Sequence, residues 1–383
     1  MKKSHLSIML LAGLWIAGCS NTEEASQPKP FVNLNVADVY KGTQSPGDVW
    51  TWSLDKEQKH MTASWDHGTF DNSADDVEIE GTFETLPSGF LKVTITKATP
   101  VSDEIETDGT AWFYALEIPG MALVVKPEGS IKGDIIAMVS QGECADIPGT
   151  YNYIISAPGN QDSYDPITSE AFGYLELTAS GSGFDVSGYK FSLDCVNGGK
   201  CSETGIINGL PSGKCTDGGE VVVSENGNTV AQGQFTAGGV MMMDFGYGNG
   251  GVFALEAGAS ATKASLQNNT YTGIAYMPKN NDDDKTMAVK LQFIENNLGN
   301  MIGVGNPFSD IENNLLNLDE GAVVLVDNVI NGRVTGTMNF DEDVDASGMA
   351  AALLVKGNDQ ILILTSYDEG YSNPFILILA KQN

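Results

Sequence analysis

The chain has 383 residues, 50 of them acidic and 20 basic, for a formal charge of −30. With Arg333 as its one arginine, it lacks the clustered Lys and Arg that phosphate contacts need, which excludes nucleic-acid binding. Length suits two or three domains, 42% hydrophobic residues supply a core, and 44 glycines among many Asn, Asp, Ser and Thr mark short strands joined by turns.

The chain opens with Lys2 and Lys3, then an apolar run from Leu6 to Ile16 that is too short to span a bilayer comfortably. The run ends in Ile16-Ala17-Gly18-Cys19, which resembles the lipobox of bacterial lipoproteins. That resemblance implies a signal peptide over 1–18, cleavage before Cys19 and a thioether-linked diacylglycerol on its thiol. It also implies a further acyl chain, such as palmitate, on the new amino terminus. Two or more chains hold a protein firmly to a bilayer. Ser20 stands where an Asp in the family retains lipoproteins in the inner membrane, so the resemblance implies the outer membrane and leaves the face open. Polar, proline-containing residues 19–30 read as a lipidated flexible tether.

Four cysteines remain: Cys144, Cys195, Cys201 and Cys215. An even number in an oxidising compartment predicts two disulfides. Cys195-Val-Asn-Gly-Gly-Lys-Cys201 reads as a hairpin tip that sets Cys195 opposite Cys201 and leaves Cys144 for Cys215. Pairing of Cys201 with Cys215 is the alternative. The spacings do not match a Cys-x2-Cys zinc ribbon.

Along the body, Leu91 to Lys97 and Tyr174 to Thr178 alternate apolar and polar residues, whereas Asp134 to Val139 and Gln360 to Thr365 are nearly continuous apolar runs of strand length. Ser309 to Leu318 is the one candidate helix, with Ser309 as N-cap and Glu312 three residues on. The predicted class is all-β, with antiparallel strands in two or three tandem barrel- or sandwich-like units.

Similar hairpins recur at 120–139, 239–256 and 360–379, their second strands 117 residues (252 minus 135) and 123 residues (375 minus 252) apart. The predicted units are 31–143, 144–264 (disulfide-bearing) and 265–383. The second and third open alike, with Gly149-Thr150-Tyr151 and Asn269-Thr270-Tyr271. This opening and the meander-like spacing resemble lipocalin-like barrels, which implies eight strands closing around a ligand cavity. The family's Gly-x-Trp opening is absent, with Tyr in place of Trp, so no binding residues carry over.

Candidate chemistry is sparse. His60 and His67, with Asp66, could form a metal site, but a spacing of seven puts the histidines on opposite faces of a strand. No Gly-x-Ser-x-Gly elbow is present. Gly246 to Gly251 is glycine-rich but lies between strands with no helix after it, which suits a hairpin turn better than a phosphate cradle. Asp341, Asp343 and Asp345 place oxygen ligands at alternating positions, as in the start of a calcium loop, although Ala346 stands where Gly is needed. Structural calcium there is the one cofactor expectation. Trp50, Trp52, Trp65 and Trp112 lie in the first third, Trp50 and Trp52 sharing a face if their segment is a strand. Core packing is the expectation for them.

The sequence thus predicts a non-enzymatic outer-membrane-anchored lipoprotein. Its predicted partners are the bilayer, through acylated Cys19, and an envelope protein or small ligand. The alternatives are a hydrolase using paired carboxylates and a structural accessory subunit of an outer-membrane complex.

Overall fold

A computed structural model describes residues 38–382, apart from segments 67–75, 157–171, 192–202, 208–212, 278–285, 294–297, 305–314, 318–322, 339–346 and 367–375, most of 101–110 and several shorter stretches.

The first eight strands are β1 (Asp38–Gln44), β2 (Val49–Asp55), β3 (His60–Asp66), β4 (Val77–Thr85), β5 (Leu91–Thr99), β6 (Ala111–Ile118), β7 (Ala122–Pro127) and β8 (Ile136–Ser140). Each pairs antiparallel with the next, and β8 returns to β1, closing an eight-stranded up-and-down barrel.

The second sheet comprises β9 (Gly149–Ser156), β10 (Phe172–Ser180), β11 (Gly183–Phe191), β12 (Glu203–Ile207), β13 (Gly213–Cys215), β14 (Glu220–Glu225), β15 (Asn228–Thr236), β16 (Val240–Asp244) and β17 (Gly251–Glu256). Pairing of β17 with β9 and of β10 with β11 brings eight of them into a ring, with β12 an extra strand on β11.

A short helix α1 (Lys263–Leu266) leads to the third sheet. It contains β18 (Thr270–Tyr276), β19 (Thr286–Phe293), β20 (Leu298–Val304), β21 (Leu315–Asn317), β22 (Val323–Ile330), β23 (Arg333–Met338), β24 (Ser347–Lys356), β25 (Asp359–Ser366) and β26 (Ile376–Lys381). The same circuit recurs: β26 pairs with β18, β19 with β20, and β20 meets β22 at two residue pairs while β21 lies alongside. The class is all-β and antiparallel, as the alternating patterns predict. The helix expected over Ser309–Leu318 is corrected in its described part: Leu315–Asn317 is β21, drawn into the ladder with Ile302–Val304 of β20.

Side-chain alternation explains the packing. In β4, Val77, Ile79 and Phe83 point into the first barrel while Glu78 and Glu84 face outward. An apolar interior with charged outward residues is the polarity of a barrel surrounded by water, the reverse of one surrounded by lipid. The continuous apolar runs behave differently, because both of their faces are buried. In β7, Leu123 and Val125 fill the barrel interior, while Ala122 and Val124 join a second core outside it. In β16, Met241 and Met243 face the second barrel's interior, and Val240 and Met242 join the outer core. In β25, Leu362 and Leu364 face inward, and Ile361 and Ile363 outward. The three hairpins β7–β8, β16–β17 and β25–β26 thus pack their outer faces into one shared core within the compact unit Phe31–Asn383. Lys356 Nζ reaches Glu256 Oε2 at 2.6 Å between the second and third barrels.

Candidate functional site

Polar side chains concentrate where the first two barrels meet, around the β1–β2 turn. The turn is tight: the Gln44 amide donates to the Asp48 carbonyl (2.9 Å) and the Gly47 amide to the Gln44 carbonyl (2.8 Å). Gly47 has φ +101°, and a Cβ there would lie 2.3 Å from the Gly246 carbonyl oxygen of the second barrel. Only glycine permits both that conformation and that approach. The Ser45 amide donates to the Ile135 carbonyl (2.8 Å), and Asp134 accepts from Gln44 Nε2 (2.6 Å) and Ser45 Oγ (2.9 Å).

Two indoles complete the network from inside the first barrel. Trp50 Nε1 donates to Gln44 Oε1 (2.9 Å) and Trp65 Nε1 to Asp48 Oδ2 (3.2 Å). Across the seam, Asp244 closes β16 and is 2% exposed, as is Asp48. Asp244 Oδ1 accepts from the Gly246 amide (2.8 Å), whereas its Oδ2 is buried with no hydrogen-bond partner among the described residues. Burial pushes the Asp244 carboxyl up to about 7, and the negative charges of Asp48 and Asp66 push the same way. The Gly246 amide and, more weakly, the Thr43 hydroxyl oppose the shift; that hydroxyl donates to the Gln44 carbonyl at 3.0 Å.

Beside this network lies a cavity of about 30 Å³ where all three barrels meet, lined by Thr43 and Gln44, by Met242 and Phe253, and by Ile376 and Ile378. It has room for one or two water molecules and none for a sugar ring or a lipid. A pair of carboxylates with one raised pKa is what general acid–base hydrolysis uses. Here both carboxylates are shut away from solvent, and the arrangement works as a buried polar fastening between barrels.

The tryptophans are core. Trp50, Trp52 and Trp65 are each 0–2% exposed. Trp50 stacks on Trp65 with centroids 5.1 Å apart, and Phe113 meets Trp50 and Trp52 edge-on. The first barrel's interior is thus filled by side chains where a lipocalin-like barrel would hold its ligand. His60 opens β3 opposite Asp55 and Thr82, while Asp66 ends the same strand, six residues or roughly 20 Å away. Among the described residues no group of three or more His, Cys, Asp or Glu is placed to hold a metal ion. Cys144 and Cys215 form a disulfide that ties the segment after β8 to β13, which sets aside the pairing of Cys201 with Cys215. Cys19, Cys195, Cys201, His67, Asp341, Asp343 and Asp345 lie outside the described residues, as does the side chain of Trp112.

Sequence reasoning passed over Asp48, Asp134 and Asp244. The available signal was an acid directly after the apolar run Val240-Met-Met-Met243, where a solvated strand end has no need of so apolar a lead.

No family model and no curated protein matches the chain. Among solved structures it is similar to transferrin binding protein B from Haemophilus parasuis (9% identity, 91% of this chain and 76% of that one, TM-score 0.24). It is also similar to transferrin binding protein B from Neisseria meningitidis (9%, 88% and 66%, TM-score 0.21). A third similar structure is described as an outer membrane protein from Bacteroides fragilis (10%, 91% and 98%, TM-score 0.15). Similarity at this level assigns neither a family nor a ligand.

Proposed function

We propose that this chain is a bacterial lipoprotein held in the outer membrane by acylated Cys19. In this reading a signal peptide (1–18) and tether (19–30) precede three tandem barrel domains, 31–143, 144–264 and 265–383. The body is a non-catalytic module that binds an envelope protein or other ligand through its outer surface and loops. One observation carries the non-catalytic reading. The first barrel's interior is filled by Trp50, Trp52, Trp65 and Phe113, and Asp48 and Asp244 are each only 2% exposed. A body whose interior is filled in this way has its exterior left for recognition.

Fractionation of a diderm host expressing the tagged full-length chain tests the anchor. Wild type is expected in the outer-membrane fraction and Cys19→Ala in the soluble fraction; equal distribution of the two refutes lipid anchoring. Affinity capture from detergent-solubilised envelopes, with and without chelator, tests the binding role. A partner recovered in stoichiometric amount supports it, and recovery of none under both conditions counts against it. Turnover of a glycoside by wild type that is abolished in Asp244→Asn would establish the hydrolase reading instead.

A further inference from the structure

The seam between the first and second barrels has two unlike ends. At one end the chain itself crosses from β8 to β9, and the Cys144–Cys215 disulfide sits beside the crossing. There Ser140 Oγ and Thr236 Oγ1 share a hydrogen bond (2.8 Å), the Gly142 amide donates to the Gly218 carbonyl (3.0 Å), and Lys41 pairs with Glu220. The other end lies four residues along β16, from Val240 to Asp244, roughly 13 Å away. It is closed by backbone contact between the β1–β2 and β16–β17 turns, with Asp244 beneath.

Among the described residues the charged groups that act on Asp244 are all acidic, while the Gly246 amide and the Thr43 hydroxyl favour its ionised form. From the first barrel, Asp48 in the β1–β2 turn and Asp66 at the end of β3 act on it, and both are acidic. β1 presents Thr43, whose hydroxyl serves the Gln44 carbonyl, and Asp134 ahead of β8 is held by Gln44 and Ser45. Within its own barrel Asp244 is flanked by the uncharged Gln232 of β15 and Gly251 of β17. Its Oδ2 lacks a hydrogen-bond partner among the described residues, which suits a neutral carboxyl and penalises an ionised one.

We propose that Asp244 is the catch of a pH-operated latch between the first two barrels. With the carboxyl neutral, the two turns close on each other. Ionisation releases its proton to solvent, and the new charge, repelled by Asp48 and Asp66 and drawn to water, opens this end while the disulfide end serves as hinge. A carboxyl pushed up to about 7 supports operation near neutral pH.

Native-state hydrogen exchange on the full chain tests this, with rates converted to protection factors so that intrinsic base catalysis cancels. Between pH of about 5.5 and about 8.5, protection at the Gln44, Ser45, Gly47 and Gly246 amides is expected to fall roughly tenfold or more. Protection stays constant at Gly142 and at Gly219, whose amide donates to the Thr216 carbonyl (3.2 Å) next to Cys215. Asp244→Asn keeps the latch end protected at both pH values. Should that variant fail to fold, Asp66→Asn is expected to move the opening midpoint to lower pH. Wild-type protection independent of pH, an Asp244→Asn variant with the wild-type response, an unmoved midpoint in Asp66→Asn, or equal loss at both ends would each overturn the latch.

Discussion

Tyr40 in the first barrel and Tyr271 in the third occupy the same place. Each is fully buried on the opening strand, two residues before a glycine pressed against the closing strand. A Cβ on Gly42 would lie 2.0 Å from the Ala137 carbonyl oxygen, and one on Gly273 would lie 2.0 Å from that of Ile378. Tyr151 holds the position in the second barrel, with Tyr153 where the others have glycine. All three hydroxyls are partnered: Tyr40 with Glu117 (2.6 Å), Tyr151 with the Ile147 carbonyl (2.9 Å) and Tyr271 with Gln360 Oε1 (2.7 Å). In the first and third barrels the glycines therefore let the first and last strands approach closely. Gly42→Ala and Gly273→Ala are each expected to cost about 3 kcal/mol or more, or to prevent folding. Gly227→Ala, at a turn with open space but φ +88°, should cost about 1 kcal/mol. Urea denaturation of the three variants checks the order.

The stacked pair Trp50 and Trp65 holds the first barrel's interior and reaches the seam through its indole N–H groups. Trp65→Ala is expected to lose about 3–5 kcal/mol, since it opens a cavity among rings with nowhere to collapse. Trp65→Phe keeps most of the stack but withdraws one donor from buried Asp48, for a smaller loss of about 1–3 kcal/mol. Guanidinium unfolding followed by near-ultraviolet dichroism reads both. A Trp65→Phe loss equal to that of Trp65→Ala would mean that the hydrogen bond, and not the ring volume, dominates.

How much was legible follows from which faces are buried. Where one face meets water, as in Leu91 to Lys97, alternation marks strand and interior together. In Ala122 to Val125, Val240 to Met243 and Ile361 to Leu364 both faces are apolar. Period alone then says strand but not which residues point into a barrel and which into the shared core. The recurrence of the hairpins was visible in the sequence, because the same double burial imposes the same composition three times. Tyr40 lacks the sequence mark of the later Tyr positions, because Val39 precedes it where Thr precedes Tyr151 and Tyr271. The seam was illegible for a different reason. Asp48, Asp134 and Asp244 are 196 residues apart end to end (244 minus 48), and in a chain with 50 acidic residues only their placement distinguishes them.

The Cys144–Cys215 disulfide closes a loop of 71 residues in sequence, spanning β9 to β13. Constraint of the unfolded chain by a loop this long corresponds to roughly 4 kcal/mol, within the usual 2–5 kcal/mol for native disulfides. The paired variant Cys144→Ser and Cys215→Ser is expected to melt at lower temperature by that stability. The loss should fall on the second barrel, because the bond ties its β13 to the crossing segment. Calorimetry of the variant beside dithiothreitol-treated wild type checks this, and matching losses identify the bond itself as the cause.

Asp244 gives a pH dependence of stability with a definite sign. Its folded-state pKa is about 7 against an ordinary value of 3.8. Below about pH 3.8 both the folded and the unfolded chain carry the proton, and the group imposes no penalty. Between about pH 4 and 7 the unfolded chain releases the proton while the folded one retains it, so stability falls as pH rises, at no more than about 1.36 kcal/mol per pH unit. Above about pH 7 both states are ionised and the accumulated loss levels off, on the order of 2–4 kcal/mol for a group this buried. Asn has the shape of the neutral acid and does not titrate. Asp244→Asn should therefore match wild type near pH 4 and exceed it near pH 8, measured as the difference between the two urea-unfolding curves so that the other carboxylates cancel. A difference independent of pH would mean that Asp244 is already ionised across this range in the folded protein, its charge met at the seam by a group that the arrangement of Asp48, Asp66, Thr43 and Gly246 does not provide.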